Sequence, residues 1–318
     1  MASISLAPAD TRAVPDAERV IVARGVTKHY GAVRAVDGVD LAIARGELFG
    51  VIGHNGAGKS TLFKMMLGLT PPTSGEIVIG HASVTGRDFR AVRRRIGYLP
   101  ENVVLYDNLT GLETLQFFSR LKGAPIEDCV PALARVGLVD AAKRRVREYS
   151  KGMRQRLGFA QALLGQPHIL FLDEPTSGLD PQAIREFYTI LRGLRSEGVT
   201  MVLSSHILAD IQERVDRLAI MAAGRIQAVG SVQALREQMD LPLWFDIRIA
   251  AADFDAVRAA LGHLPISAIE AHDDHVAVQC RREAKMAVLE ALAALDGRVL
   301  DLHVREPSLE DVFFGFSD

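Results

Sequence analysis

Leu48-Phe49-Gly50-Val51-Ile52-Gly53-His54-Asn55-Gly56-Ala57-Gly58-Lys59-Ser60-Thr61 runs from an apolar segment through a glycine-rich loop into the start of a helix. Its middle fits the pattern Gly-x-x-x-x-Gly-Lys-Ser/Thr, in the strand-to-helix context that makes the pattern informative. Glycines let the backbone curl so that successive N–H groups point at one anion. The helix that follows presents its positive end to the same place. Lys59 brings a point charge for the β- and γ-phosphates of a nucleotide, and the Ser60 hydroxyl is a hard oxygen ligand suited to Mg²⁺. Gly53, His54, Asn55, Gly56, Ala57, Gly58, Lys59, Ser60 and Thr61 are therefore the candidate nucleotide-binding residues, with ATP and Mg²⁺ as the expected ligands. A purely structural glycine turn is the bland alternative, and the loop by itself says nucleotide rather than which enzyme.

Further along, Ile169-Leu170-Phe171-Leu172 is a short, wholly apolar run ending in Asp173-Glu174. Such a run reads as a buried parallel strand, and the carboxyl end of such a strand is where α/β sheets bind ligands. Asp173 is placed to hold Mg²⁺, and Glu174 to orient and polarise an attacking water, because phosphoryl transfer is mostly positioning and charge stabilisation. Alone, two carboxylates at a strand end would be an acidic helix cap. Beside a phosphate loop they are not.

Three more segments narrow the choice. Tyr149-Ser150-Lys151-Gly152-Met153 resembles the signature motif of ABC-type ATPases, whose common form is Leu-Ser-Gly-Gly-Gln. Ser177-Gly178-Leu179-Asp180 resembles the D-loop of that family, and Ser204-Ser205-His206 its switch-histidine segment. The motifs occur in the family's order from about Val20 to Met239. The resemblance implies an α/β nucleotide-binding core with a helical insert, acting in head-to-tail pairs. It implies that Ser150 and the Gly152 N–H donate to the γ-phosphate held by a second copy, that His206 touches the same phosphate, that Asp180 belongs to the paired site, and that Tyr30 stacks on adenine. It implies as partners an integral membrane permease, a second copy of the chain and a periplasmic accessory protein.

Two departures stand out. Lys151 and Met153 occupy signature positions where Gly and Gln are common, although Ser150 and Gly152 remain. In Gly97-Tyr98-Leu99-Pro100-Glu101, Glu101 stands where the family's Q-loop usually has Gln. Its carboxylate is a candidate Mg²⁺ ligand, or else a lever coupling the site to the permease. Gly53-His54-Asn55-Gly56, Pro100-Glu101-Asn102-Val103 with Leu109-Thr110-Gly111, and the Tyr149–Met153 segment are similar to the NosF branch. That branch comprises the ATPase subunits of ABC systems encoded with nitrous oxide reductase. It implies a role in maturing that enzyme's copper centre, with copper or a sulfur species as cargo.

The rest of the chain fits this frame. The 318 residues allow about two domains. A net charge of −2 gives no basic excess for a nucleic-acid partner. The two cysteines, Cys129 and Cys280, form no disulfide framework and are expected to be ordinary buried thiols. His272-Asp273-Asp274-His275 is the only His/Asp cluster, and a polar hairpin turn is its simplest reading. No run approaches the roughly 20 apolar residues of a spanning helix, so the protein is expected on the cytoplasmic side of the bacterial inner membrane, held there through its permease. The expected layout is a loose tail over residues 1–18, an ATPase domain over 19–240 with a helical subdomain at about 88–165, and an accessory domain over 241–318. The accessory domain reads β-α-β-β-α-β, a small ferredoxin-like unit, followed by a short helix over Pro307–Phe314. A soluble ABC ATPase acting on ribosomes or DNA is the competing function; it would call for a second ATPase core, a long coiled coil or a zinc module. A phosphate-loop kinase leaves Tyr149–Met153 unexplained.

Overall fold

Alternating aliphatic residues in the first 30 positions after the tail face one way and build a long antiparallel hairpin. The structure, a computed structural model, describes residues 15–208, 211–238, 243–272, 275–295 and 297–305. The hairpin consists of β1 (Arg19–Tyr30) and β2 (Val33–Ala44). Next in the chain come β3 (Leu48–Ile52), helix α1 (Lys59–Met66), β4 (Ser74–Ile79) and the two-residue β5 (Ala82–Ser83). β4 pairs with the free side of β1, giving a four-stranded antiparallel sheet in the order β2-β1-β4-β5.

The second sheet has six strands. It comprises β3, β6 (Ile96–Leu99), β7 (Ile169–Leu172), β8 (Thr200–Ser205), β9 (Arg217–Ala222) and β10 (Arg225–Gly230), in the order β10-β9-β3-β8-β7-β6. Strands β9 to β6 are parallel and β10 folds back antiparallel on β9. Every residue of β3, β7 and β8 is buried, as a strand covered on both faces requires. Phe63 of α1 meets Phe171 of β7 edge to face at 5.5 Å, joining the helix after the glycine loop to the strand before Asp173. Each such fully buried large side chain contributes about 1.5–3 kcal/mol relative to exposure.

The insert contains α2 (Phe89–Arg93), α3 (Gly111–Lys122), α4 (Cys129–Arg135) and α5 (Lys151–Leu163), and is followed by α6 (Pro181–Ser196) and α7 (Val232–Gln238). α3 opens with a capping box: Glu113 N–H donates to Thr110 Oγ1 at 3.2 Å, and Thr110 N–H donates to Glu113 Oε2 at 2.8 Å. The stretch expected to be helical over 88–165 is interrupted by β6, which completes the parallel sheet beside β7. Four residues with a glycine among them carry too little periodicity to announce a strand; its partner supplies the missing definition.

Contacts divide the chain between Val232 and Gln233. The second unit contains β11 (Leu243–Ile249), α8 (Phe254–Leu261), β12 (Ile266–Ala271), β13 (His275–Cys280), α9 (Lys285–Ala293) and β14 (Val299–Arg305). Its antiparallel sheet runs β12-β13-β11-β14, and Phe245, Ile247, Val257, Val278 and Val288 fill its own core. Residues 1–14, the Leu241-Pro242 boundary, Asp273-Asp274 and the expected helix over Pro307–Phe314 lie outside the described residues.

Candidate nucleotide site

The parallel order β3-β8-β7 brings three loops side by side at the carboxyl ends of the strands: the glycine loop after β3, His206 after β8 and Asp173-Glu174 after β7. Gly56 and Gly58 adopt φ of +84° and +104°, which only glycine accepts readily. Around Gly56 a side chain would meet open space, whereas at Gly53 it would strike the Met221 carbonyl and stand 2.9 Å from Ala57 Cβ. The loop is thus packed against β9 at its base and open at its crest, with His54, Asn55 and Gly56 exposed. Ala57 N–H closes it onto the His54 carbonyl at 3.0 Å, and half-buried Thr61 lies on the first turn of α1.

Lys59 is buried and folds back over its own loop. Its ammonium donates to the Gly53 carbonyl at 2.5 Å and to the His54 carbonyl at 3.4 Å. It also stands 3.3 Å from Glu174 Oε1. That is an ion-pair distance without hydrogen-bond alignment, so Oε1 is a buried oxygen with no hydrogen-bond partner. The other oxygen, Oε2, lies 2.8 Å from His206 Nδ1. Glu174 itself has φ of +47°, a left-handed conformation that costs a non-glycine residue energy and is retained where the surroundings enforce it.

Ser60 Oγ approaches Asp173 Oδ1 at 3.5 Å. This pair of hard oxygens, together with Glu174 Oε1, which accepts no hydrogen bond, is a donor set that suits a magnesium nucleotide. Ser204, the first residue of the Ser204-Ser205-His206 segment, is central. Its hydroxyl donates to Asp173 Oδ1 at 2.6 Å and accepts the Glu174 N–H at 2.9 Å. A small hydroxyl residue two positions before the histidine, on the strand next to Asp173, was the available signal.

Glu101 is exposed just beyond β6. Burial pushes the Tyr98 phenol up to about 12, and the charges of Asp173 and Glu101 add to the effect, so both carboxylates act on the same hydroxyl. Tyr30 is exposed at the end of β1, with Lys28 Nζ 5.2 Å from its ring centre. Ser150 is the N-cap of α5: Met153 N–H donates to its Oγ at 3.2 Å, which leaves the hydroxyl proton free to donate outward. Asp180 caps α6, accepting the N–H groups of Gln182 and Ala183 at 3.0 and 2.9 Å, so its observed work is local. Gly152 lies against Leu179, whose Cδ2 is 3.7 Å from the place of a Gly152 side chain.

Known proteins resemble this chain along most of its length. A family model described as "ABC transporter" matches residues 36–177. The daunorubicin resistance ATP-binding protein DrrA3 of Streptomyces coeruleorubidus is 35% identical over 93% of this chain and 95% of its own length. The bacitracin transport ATP-binding protein BcrA of Bacillus licheniformis is 34% identical over 92% of this chain and 96% of its own. An ATP-binding cassette solved as a dimer in a post-hydrolysis state with ADP and Pi is 26% identical; the match covers 66% of this chain and 98% of that one, with a TM-score of 0.61. The chain belongs to the ABC transporter family, as an ATP-binding subunit that hydrolyses ATP.

Proposed function

We propose that this chain is the motor of an ABC-2-type exporter, working as a head-to-tail pair of copies beneath an integral membrane permease. The observation that carries the reading is the convergence of Lys59, Asp173, Glu174 and His206 at three adjacent strand ends, while Gly152, two residues after Ser150, packs on Leu179 of the D-loop. In this reading one chain holds half a site, and a second copy's signature segment closes it. The N–H groups of Gly53–Ser60 and the Lys59 ammonium cradle the phosphates. Ser60 and Asp173, with Glu101 as a further carboxylate, are the residues that would hold Mg²⁺, which when bound neutralises charge on the phosphate oxygens. Glu174 orients the attacking water, and His206, 2.8 Å from its Oε2, touches the γ-phosphate. Ser150 and the Gly152 N–H donate to the γ-phosphate across the pair, Asp180 fixes the loop that faces the second copy, and Tyr30 stacks on adenine.

No helix among the described residues is long and apolar enough to cross a membrane. In this reading the permease holds the chain peripherally, on the cytoplasmic face of the inner membrane. The permease surface is assigned to α3 and the loop before it. Leu115 is core, but Tyr106, Phe117 and Phe118 form a chain of edge-to-face rings at 5.5 and 5.3 Å, and Val104 and Leu121 are exposed beside it in sequence. Affinity purification of the tagged chain from membranes tests the reading directly. A stoichiometric membrane protein bound to it supports the motor; a ribosomal or DNA complex overturns it.

The finer reading is that this exporter matures the copper centre of nitrous oxide reductase, moving a sulfur species or copper with a periplasmic accessory protein. The branch motifs around Gly53, Glu101 and Ser150 support it. Deleting the gene and measuring copper and sulfide in purified reductase tests it, and a fully loaded enzyme from the deletion strain rejects it.

A further inference from the structure

Lys151 opens α5 between Ser150 and Gly152, and its side chain is folded across Gly178 of the D-loop. A methyl group placed on Gly178 would overlap Lys151 Nζ and stand 2.9 Å from Cε and 3.6 Å from Cδ. Gly178 also has φ of +70°, so it supplies both the left-handed turn and the empty space that the lysine stem fills. Two neighbouring contacts join the same pair of segments. Leu179 packs toward Gly152, and Gln155 Nε2 donates to the Pro175 carbonyl at 3.2 Å. Positions 151, 152 and 155 of one helix thus hold positions 178, 179 and 175 of one loop.

That loop is short and internally tied. Ser177 N–H donates to the Glu174 carbonyl and Leu179 N–H to the Thr176 carbonyl, each at 3.1 Å, and Asp180 caps the helix beyond. Its first residue is Glu174, held at a left-handed φ. Any shift of the loop therefore reaches the backbone of the carboxylate. Helix stability does not account for a lysine at this place. A cation in the first turn opposes the helix dipole, and α5 has no acidic residue there to offset it. Among the described residues the Lys151 ammonium makes no hydrogen bond or ion pair.

We propose that Lys151 is a positioning residue for ATP hydrolysis: its aliphatic stem clamps the D-loop to the signature helix and thereby sets the orientation of Glu174. The proposal rests on Glu174 as the water-orienting residue, which Glu174→Gln tests by itself, so the two can fail separately.

The test is steady-state ATPase kinetics and ADP binding with the full chain. Lys151→Ala is expected to lower kcat about tenfold, short of the hundredfold that a full ångström of misplacement costs, with ADP affinity unchanged because the phosphate loop is untouched. Lys151→Met, which keeps the stem without the charge, is expected to restore kcat. Gly178→Ala should slow the parent enzyme more than it slows Lys151→Ala, because the methyl and the stem compete for one space. The clamp is overturned if ADP affinity falls together with kcat, if Lys151→Met is as slow as Lys151→Ala, or if Gly178→Ala costs the same factor in both backgrounds.

Discussion

The Ser204 hydroxyl donates to Asp173 Oδ1 at 2.6 Å from the neighbouring strand, with both residues buried. The same oxygen accepts the Glu174 N–H, so one hydroxyl ties the Asp173 carboxylate to the Glu174 backbone at the end of β7. Ser204→Ala is expected to destabilise the fold by about 1–3 kcal/mol, the cost of leaving buried polar partners unmade, and to raise the Mg²⁺ concentration for half-maximal ATPase. Denaturant unfolding and a Mg²⁺ titration of activity check the two effects.

Glu174→Gln keeps the shape of the side chain but removes the charge that polarises water and pairs with Lys59. Hydrolysis is expected to be nearly abolished while ATP binding survives, and ATP is expected to drive the variant into a lasting dimer. Phosphate release and size-exclusion chromatography with ATP measure this; hydrolysis at the parent rate would remove Glu174 from the proposed chemistry.

Burial, Asp173 and Glu101 together hold the Tyr98 phenol protonated to about 12. In the unfolded chain the group ionises near its ordinary value of 10, so its contribution is complete below pH 10 and is lost as pH rises toward 12. Glu101→Ala is expected to lower the Tyr98 pKa, visible as phenolate absorbance appearing at lower pH. If Glu101 ligates Mg²⁺, the same variant also requires more Mg²⁺; if it is a coupling lever, Mg²⁺ dependence holds and stimulation by the permease falls.

Lys122 behaves in the opposite sense. Desolvation lowers its pKa to about 8, and its Nζ donates to the Leu164 carbonyl at the end of α5 at 2.6 Å. Between that value and the ordinary 10.5 the unfolded chain binds the extra proton, so stability rises with pH across this window. Lys122→Met is expected to flatten that rise, as read by thermal unfolding at stepped pH.

A chain ending near Asp240 is expected to bind ATP still, since the phosphate loop and both carboxylates lie in the first unit, and to pair or couple less well. Nucleotide binding and analytical ultracentrifugation of the truncated protein check this. Loss of ATP binding in a folded truncation would contradict it.

Legibility differed from element to element. α1 and β7 were plain because a glycine loop and an all-apolar run are local signals, each readable within a few residues. β6 was not, because Ile96-Gly97-Tyr98-Leu99 becomes a strand through its ladder with β7 rather than through its own pattern. Ser204 was visible only as a hydroxyl near a histidine; its two hydrogen bonds, to the Asp173 carboxylate and from the Glu174 N–H, depend on β8 lying beside β7.

The sequence by itself determined that a phosphate loop, an acidic strand end and a signature helix occur in one order, because each is built from consecutive residues whose backbone preferences and side-chain chemistry act locally. Only the tertiary structure decided that Lys59 is drawn against Glu174, that Ser204 ties the Asp173 carboxylate to the Glu174 backbone, and that Lys151 fills the space above Gly178. Those contacts join positions far apart in the chain. Strand order and helix packing set them, through burial of surfaces that no single segment can cover alone.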